Sequence, residues 1–68
     1  MEINNGLVGE TAGKIWQILN DEGPQTFKQL KKRLNASGDL ASFAVGWLAR
    51  EDKVGITDEK KDVKVALK

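Results

Sequence analysis

The stretch SGDLASFAVGWLAREDKV, Ser37 to Val54, decides how the rest of this chain of 68 residues is arranged. Plotted at a helical period, Leu40, Ala41, Phe43, Ala44, Val45, Trp47 and Leu48 cover more than half of the circumference. The strip left over holds Asp39, Ser42, Gly46, Ala49 and Arg50. A helix apolar over so wide an arc is packed on two or more sides, not laid on a surface with one face in water. In so short a chain the other segments exist largely to cover it.

Upstream of this helix, Asn35, Ala36, Ser37 and Gly38 read as a turn, with Ser37 as the cap of the central helix. Before the turn, Thr26 and Gln29 have the spacing of a capping box, and Phe27, Leu30 and Leu34 line one face of a short helix ending near Leu34. Gly23 and Pro24 form a stop, since glycine accepts a left-handed cap and proline cannot continue a helix. Ahead of that stop, Leu7, Val8, Ala12, Ile15, Trp16 and Leu19 recur at spacings of three and four. This predicts a first helix over about residues 6–21, with Asn5 as its cap and Met1 to Asn4 as a loose end. Gly9 and Gly13 lie one turn apart in it, and they read either as a frayed helix start or as a small-residue groove that another helix could approach closely.

Downstream, the central helix should run to about Asp52. Beyond it Val54 and Ile56 alternate with Gly55 and Thr57, and Val63, Val65 and Leu67 alternate with Lys64 and Ala66. The charged segment from Asp58 to Asp62 joins the two runs, which is the pattern of a β-hairpin. A hairpin alone is barely stable in water, so its apolar face needs the helices beneath it. Gln25 and Thr26 are candidates for a short third strand at its edge.

The bulk composition agrees with one small globular domain spanning residues 1–68. Hydrophobic residues make up 40% and charged residues 31%, a balance that excludes a disordered chain. Chains of this size bury only about 60% of the surface their unfolded form exposes, so self-association is a natural source of further burial. Cysteine and histidine are both absent from the sequence, which argues against disulfides and the usual zinc chemistry. No apolar run reaches the length of a membrane span, and the opening MEINNGLVGE lacks the layout of a signal peptide, so a cytoplasmic location is expected. Catalysis is not expected: no glycine-rich phosphate loop follows a strand, and the carboxylates are dispersed among lysines. No cofactor is implied.

The order helix, short helix, turn, long helix, hairpin is that of an α+β, mainly α, winged helix-turn-helix, with three helices followed by a C-terminal β-hairpin wing. Ala12, Gly13, Lys14, Ile15 and Trp16, and then Gly46 to Lys53, GWLAREDK, carry the likeness further. On those residues the chain resembles a family of small stand-alone bacterial winged helix-turn-helix proteins of uncharacterised function. The resemblance implies the fold and, by analogy with winged helices at large, binding of double-stranded DNA by a transcription-regulator-like module. It also implies a homodimer.

The formal net charge is only +1, but its distribution is uneven. Residues 1–25 carry −3, residues 26–36 carry +4, residues 37–52 carry −2 and residues 53–68 carry +2. Lys28, Lys31, Lys32 and Arg33 account for the positive block; they lie on the helix that crosses the DNA backbone in this motif, where contacts position a duplex without reading it. Lys64 is a supplement from the wing. Base readout from the central helix calls for Arg, Lys, Asn or Gln near its start, yet only Ser42 there suits a base edge. Two function classes therefore follow, the first a DNA-binding module that leads and the second its alternative. One is phosphate-backbone contact with little base specificity, through Lys28, Lys31, Lys32, Arg33, Ser42 and Lys64. The other is a protein-interaction or homodimerisation module with Gly9, Gly13, Leu40, Phe43 and Trp47 at the interface.

Overall fold

The computed structural model describes residues 4–68. The elements run α1 (Asn5–Glu22), β1 (Gln25–Thr26), α2 (Phe27–Leu34), α3 (Gly38–Arg50), β2 (Val54–Asp58) and β3 (Val63–Leu67). Of the loose end expected before the first helix, residues 1–3 lie outside the described residues. Asn4 is its cap: the backbone there is extended and the side-chain oxygen accepts the Leu7 N–H at 2.8 Å. The cap thus falls one residue before the expected Asn5. Asn4 satisfies one of the first-turn amides that have no partner inside the helix.

Helix α1 buries Val8, Ala12, Ile15 and Leu19 of the expected three-and-four series together with Thr11, while Leu7 and Trp16 of that series are not buried. Trp16, counted in that series by its spacing, lies at the edge of the buried arc and stays 38% exposed. At the far end Gly23 adopts φ 85°, and its N–H donates to the Leu19 carbonyl at 2.9 Å. The capping box of α2 is complete: Thr26 Oγ1 accepts the Gln29 N–H at 3.2 Å while Gln29 Oε1 accepts the Thr26 N–H at 2.8 Å. Asn35, left-handed at φ 51°, closes α2, and Ser37 Oγ accepts the Leu40 N–H at 3.1 Å to open α3.

Helix α3 stops at Arg50, two residues short of the expected end, for a local reason. Asp52 takes a left-handed φ of 60°, its N–H donates to the Ala49 carbonyl at 3.0 Å, and the Lys53 N–H reaches the Leu48 carbonyl at 3.0 Å. That double bond is a Schellman closure, with aspartate in the place glycine usually takes.

The sheet order is β1-β3-β2, all antiparallel. The hairpin register sets Val54 against Leu67, Ile56 against Val65 and Asp58 against Val63. The short strand β1 adds to β3 on its other side, Gln25 against Val65 and Thr26 against Lys64. Val65 on the central strand is therefore fully buried, as are Ile15 of α1 and Leu30 of α2. Around them Ala12, Leu19, Ala44, Val45, Leu48 and Val54 complete one core. Three helices and a C-terminal antiparallel hairpin make the winged arrangement expected from the sequence.

Candidate interaction surface

The basic block of α2 is less concentrated in three dimensions than in sequence. Arg33 points back to α1 and forms a two-pronged ion pair with Glu22. The hydrogen bonds of this pair raise the guanidinium pKa and lower that of the carboxyl. Arg33 is thus the member of the expected nucleic-acid set least available to a phosphate. Lys28 and Lys32 are exposed, whereas Lys31 is half-buried, its ammonium group lying against the start of α3 near Gly38.

A carboxylate also stands at the N-terminal end of α2. The Lys28 N–H donates to Asp62 Oδ2 at 3.0 Å, and the other oxygen of Asp62 accepts the Val63 N–H at 2.8 Å. The Lys28 backbone bond is the leading cause holding the Asp62 carboxyl below the usual range, against a smaller opposing effect of desolvation. The joining segment of the wing is thereby latched onto the first turn of α2, where the helix dipole favours an anion. Lys64 is exposed across from Thr26 on the neighbouring strand, two residues from this latch. Ser42 is exposed on α3, apart from the lysines in sequence and on a different element.

The outward face of α3 carries two large apolar side chains between charged ends. Along it stand Asp39, Ser42, Phe43, Gly46, Trp47 and Arg50, all exposed, while Leu40, Ala41, Ala44, Val45 and Leu48 face inward. Leu40, expected at a protein interface, is only 5% exposed and has little left to offer a partner. The wide apolar arc of this helix therefore divides: one part meets the chain's own core, and Phe43 and Trp47 do not. Phe43 is 56% exposed and Trp47 41%.

These two residues have company that sequence reading did not single out. A depression of about 510 Å³ runs between the start of α1 and α3, lined by Asn4, Asn5, Val8, Ser42, Phe43, Gly46, Trp47 and Arg50. Trp47 also borders a second, of about 280 Å³, with Trp16, Gly9, Gly13 and Lys53. Ser42 and Gly46 border a third, of about 260 Å³, with Phe27, Val63 and the half-exposed Ile56. All four exposed large hydrophobic side chains of the described residues thus surround one helix face. Trp16 gave no signal of this in sequence: its spacing counts it with the apolar series of α1, and only the packing leaves it at the edge of the buried arc. Ile56 gave none either: it shares a strand face with the buried Val54, yet it stands on the edge strand β2 and is 46% exposed.

Among the described residues, no group of three or more His, Cys, Asp or Glu side chains is placed to hold a metal ion, and no helix is long and apolar enough to cross a membrane.

Comparison with known proteins bears on the same architecture. The chain is 39% identical over 71 residues to an uncharacterised protein, MJ1608, of Methanocaldococcus jannaschii, the alignment covering 100% of both chains. That relative is archaeal, so the bacterial label expected for the family is too narrow. The solution NMR structure of protein BT2368 from Bacteroides thetaiotaomicron superposes with a TM-score of 0.81 at 34% identity, over 96% of this chain and 79% of that one. A family model described as a winged helix-turn-helix domain, DUF2582, matches residues 1–67. With its three helices, central β3 and wing, this chain belongs to that winged helix-turn-helix family.

Proposed function

We propose that this protein is a winged-helix interaction module, in which the outward face of α3 is a protein-contact surface instead of a reader of the major groove. The observation that carries the reading is the grouping of Trp16, Phe43, Trp47 and Ile56 around that face, each more than a third exposed. Soluble chains seldom leave contiguous aromatic surface in water unless something covers it. Aromatic side chains are also the residues most enriched at the centres of protein interfaces. The polar groups a base-reading helix needs are lacking on the same face, where Asp39 would stand near phosphates and Gly46 reaches nothing.

A second reading, a regulator-like module that holds double-stranded DNA by its backbone, is favoured by the exposed Lys28, Lys32 and Lys64, none of them in an ion pair among the described residues. One titration separates the two. Generic duplex DNA is added to the labelled protein at low salt, and amide shifts are followed. Contact through α3 with protein alone leaves residues 26–36 and 39–50 unmoved. Backbone contact moves residues 26–36, is abolished by Lys28→Glu with Lys32→Glu, and weakens with salt at a log–log slope of about −3 for three to four phosphates. Shifts concentrated on α3 itself would overturn the first reading.

A further inference from the structure

We propose that the occupant of the α3 face is a second copy of this chain, its α3 packed antiparallel to the first about a two-fold axis midway between Ala44 and Val45; the proposal rests on the contact-surface reading. The exposed stripe carries an acid at its start, Asp39, and a base at its end, Arg50, with apolar and small residues between. The two are eleven residues apart in sequence, which along a helix is about 16 Å. A stripe ordered in this way is its own complement when reversed. In an antiparallel pair each Asp39 comes level with the twin's Arg50, and both ends of the seam are matched at once. A parallel arrangement, by contrast, sets like charges side by side. An isologous contact requires this self-complementarity.

The middle of the stripe fits the same register. Phe43 comes level with Gly46 of the twin, so the most exposed ring meets the position with no side chain. The two copies of Trp47 then fall on one flank of the seam, beside the small-residue groove of Gly9 and Gly13. Within the single chain Gly46 has no evident purpose. A methyl group built there meets no atom within 4 Å, and glycine inside a helix weakens it relative to alanine. A ring arriving from a twin supplies the missing reason.

The test uses the full chain in sedimentation equilibrium from micromolar to millimolar concentration, with circular dichroism confirming that each variant is folded. The expected result is a dimer weakened at least tenfold by Asp39→Arg or by Arg50→Asp, and restored when both substitutions are made in the same chain. Gly46→Ala should raise the thermal midpoint of the dilute monomer while weakening the dimer. A dimer indifferent to both single charge reversals and to Gly46→Ala overturns the proposal. So does a chain that remains monomeric at millimolar concentration. If that monomer's α3 amides ignore duplex DNA, only the twin is refuted; if they move with DNA, the contact-surface reading falls as well.

Discussion

Replacing Phe43 by alanine separates what α3 does for its own fold from what it does for a partner. Phe43 is 56% exposed, and a phenylalanine presents on the order of 200 Å², so about 110 Å² is open for a partner to cover. At roughly 25 cal/mol per Å², covering it fully contributes up to about 2.8 kcal/mol per copy. Alanine keeps part of that area and no interface covers all of it. The expected loss is therefore about 3 kcal/mol for a dimer in which both copies change, or roughly a hundredfold in Kd. The cost to the folded monomer is smaller. The covered part of the ring is worth about 2 kcal/mol by the same coefficient. Alanine's better helix propensity returns roughly half a kcal/mol of it. Leu30→Ala is the opposite case: Leu30 is fully buried, so its truncation should cost folding about 2–5 kcal/mol. The assay pairs urea denaturation of the dilute chain with sedimentation equilibrium of the concentrated one. Phe43→Ala should move the second far more than the first, and Leu30→Ala should do the reverse. If Phe43→Ala leaves self-association untouched while destabilising the monomer as much as Leu30→Ala does, the ring belongs to the core and the reasoning about α3 is wrong.

Two further predictions concern the ends of α2. Thr26→Ala removes the hydroxyl half of the capping box and should cost about 1 kcal/mol, seen as a lower thermal midpoint by roughly 4–8 °C; Thr26→Ser should recover most of it. The Asp62 latch should appear as a pH effect. Its folded carboxyl lies below the ordinary value, so the stabilisation is fully present above the unfolded pKa of about 3.9 and is lost as pH falls through the lower folded value. Asp62→Asn should therefore lower stability at neutral pH and flatten that part of the acid limb, as read by urea midpoints between pH 2 and 7. An acid limb identical in the variant would show that the carboxylate does not hold the wing to α2.

The local signals of this chain could be read with little help from the fold. Thr26, Gln29 and Ser37 act through atoms within three residues of themselves, so their caps are present where spacing placed them. The alternating valines of the hairpin and the buried series Val8, Ala12, Ile15 and Leu19 follow from period alone. Where the local reading slipped, the cause was also local. Asn4 and Asn5 are chemically the same cap, and an aspartate at Asp52 gives no warning that it will take a glycine's conformation.

Contacts between segments far apart in sequence could not be read in that way. The pairing of Arg33 with Glu22, the hold of Asp62 on Lys28 and the choice of β3 over β2 as the neighbour of the expected edge strand each join segments that meet only when the core closes. The division of the α3 arc is the clearest instance. Amino-acid type established that this helix is too apolar to face water, so it needs cover. Which side receives cover depends on where α1 and the sheet stop, and they leave Phe43 and Trp47 outside while enclosing Leu40 and Leu48. Hydrophobicity is a property of each residue, whereas burial is a property of the neighbours that the whole chain brings to it.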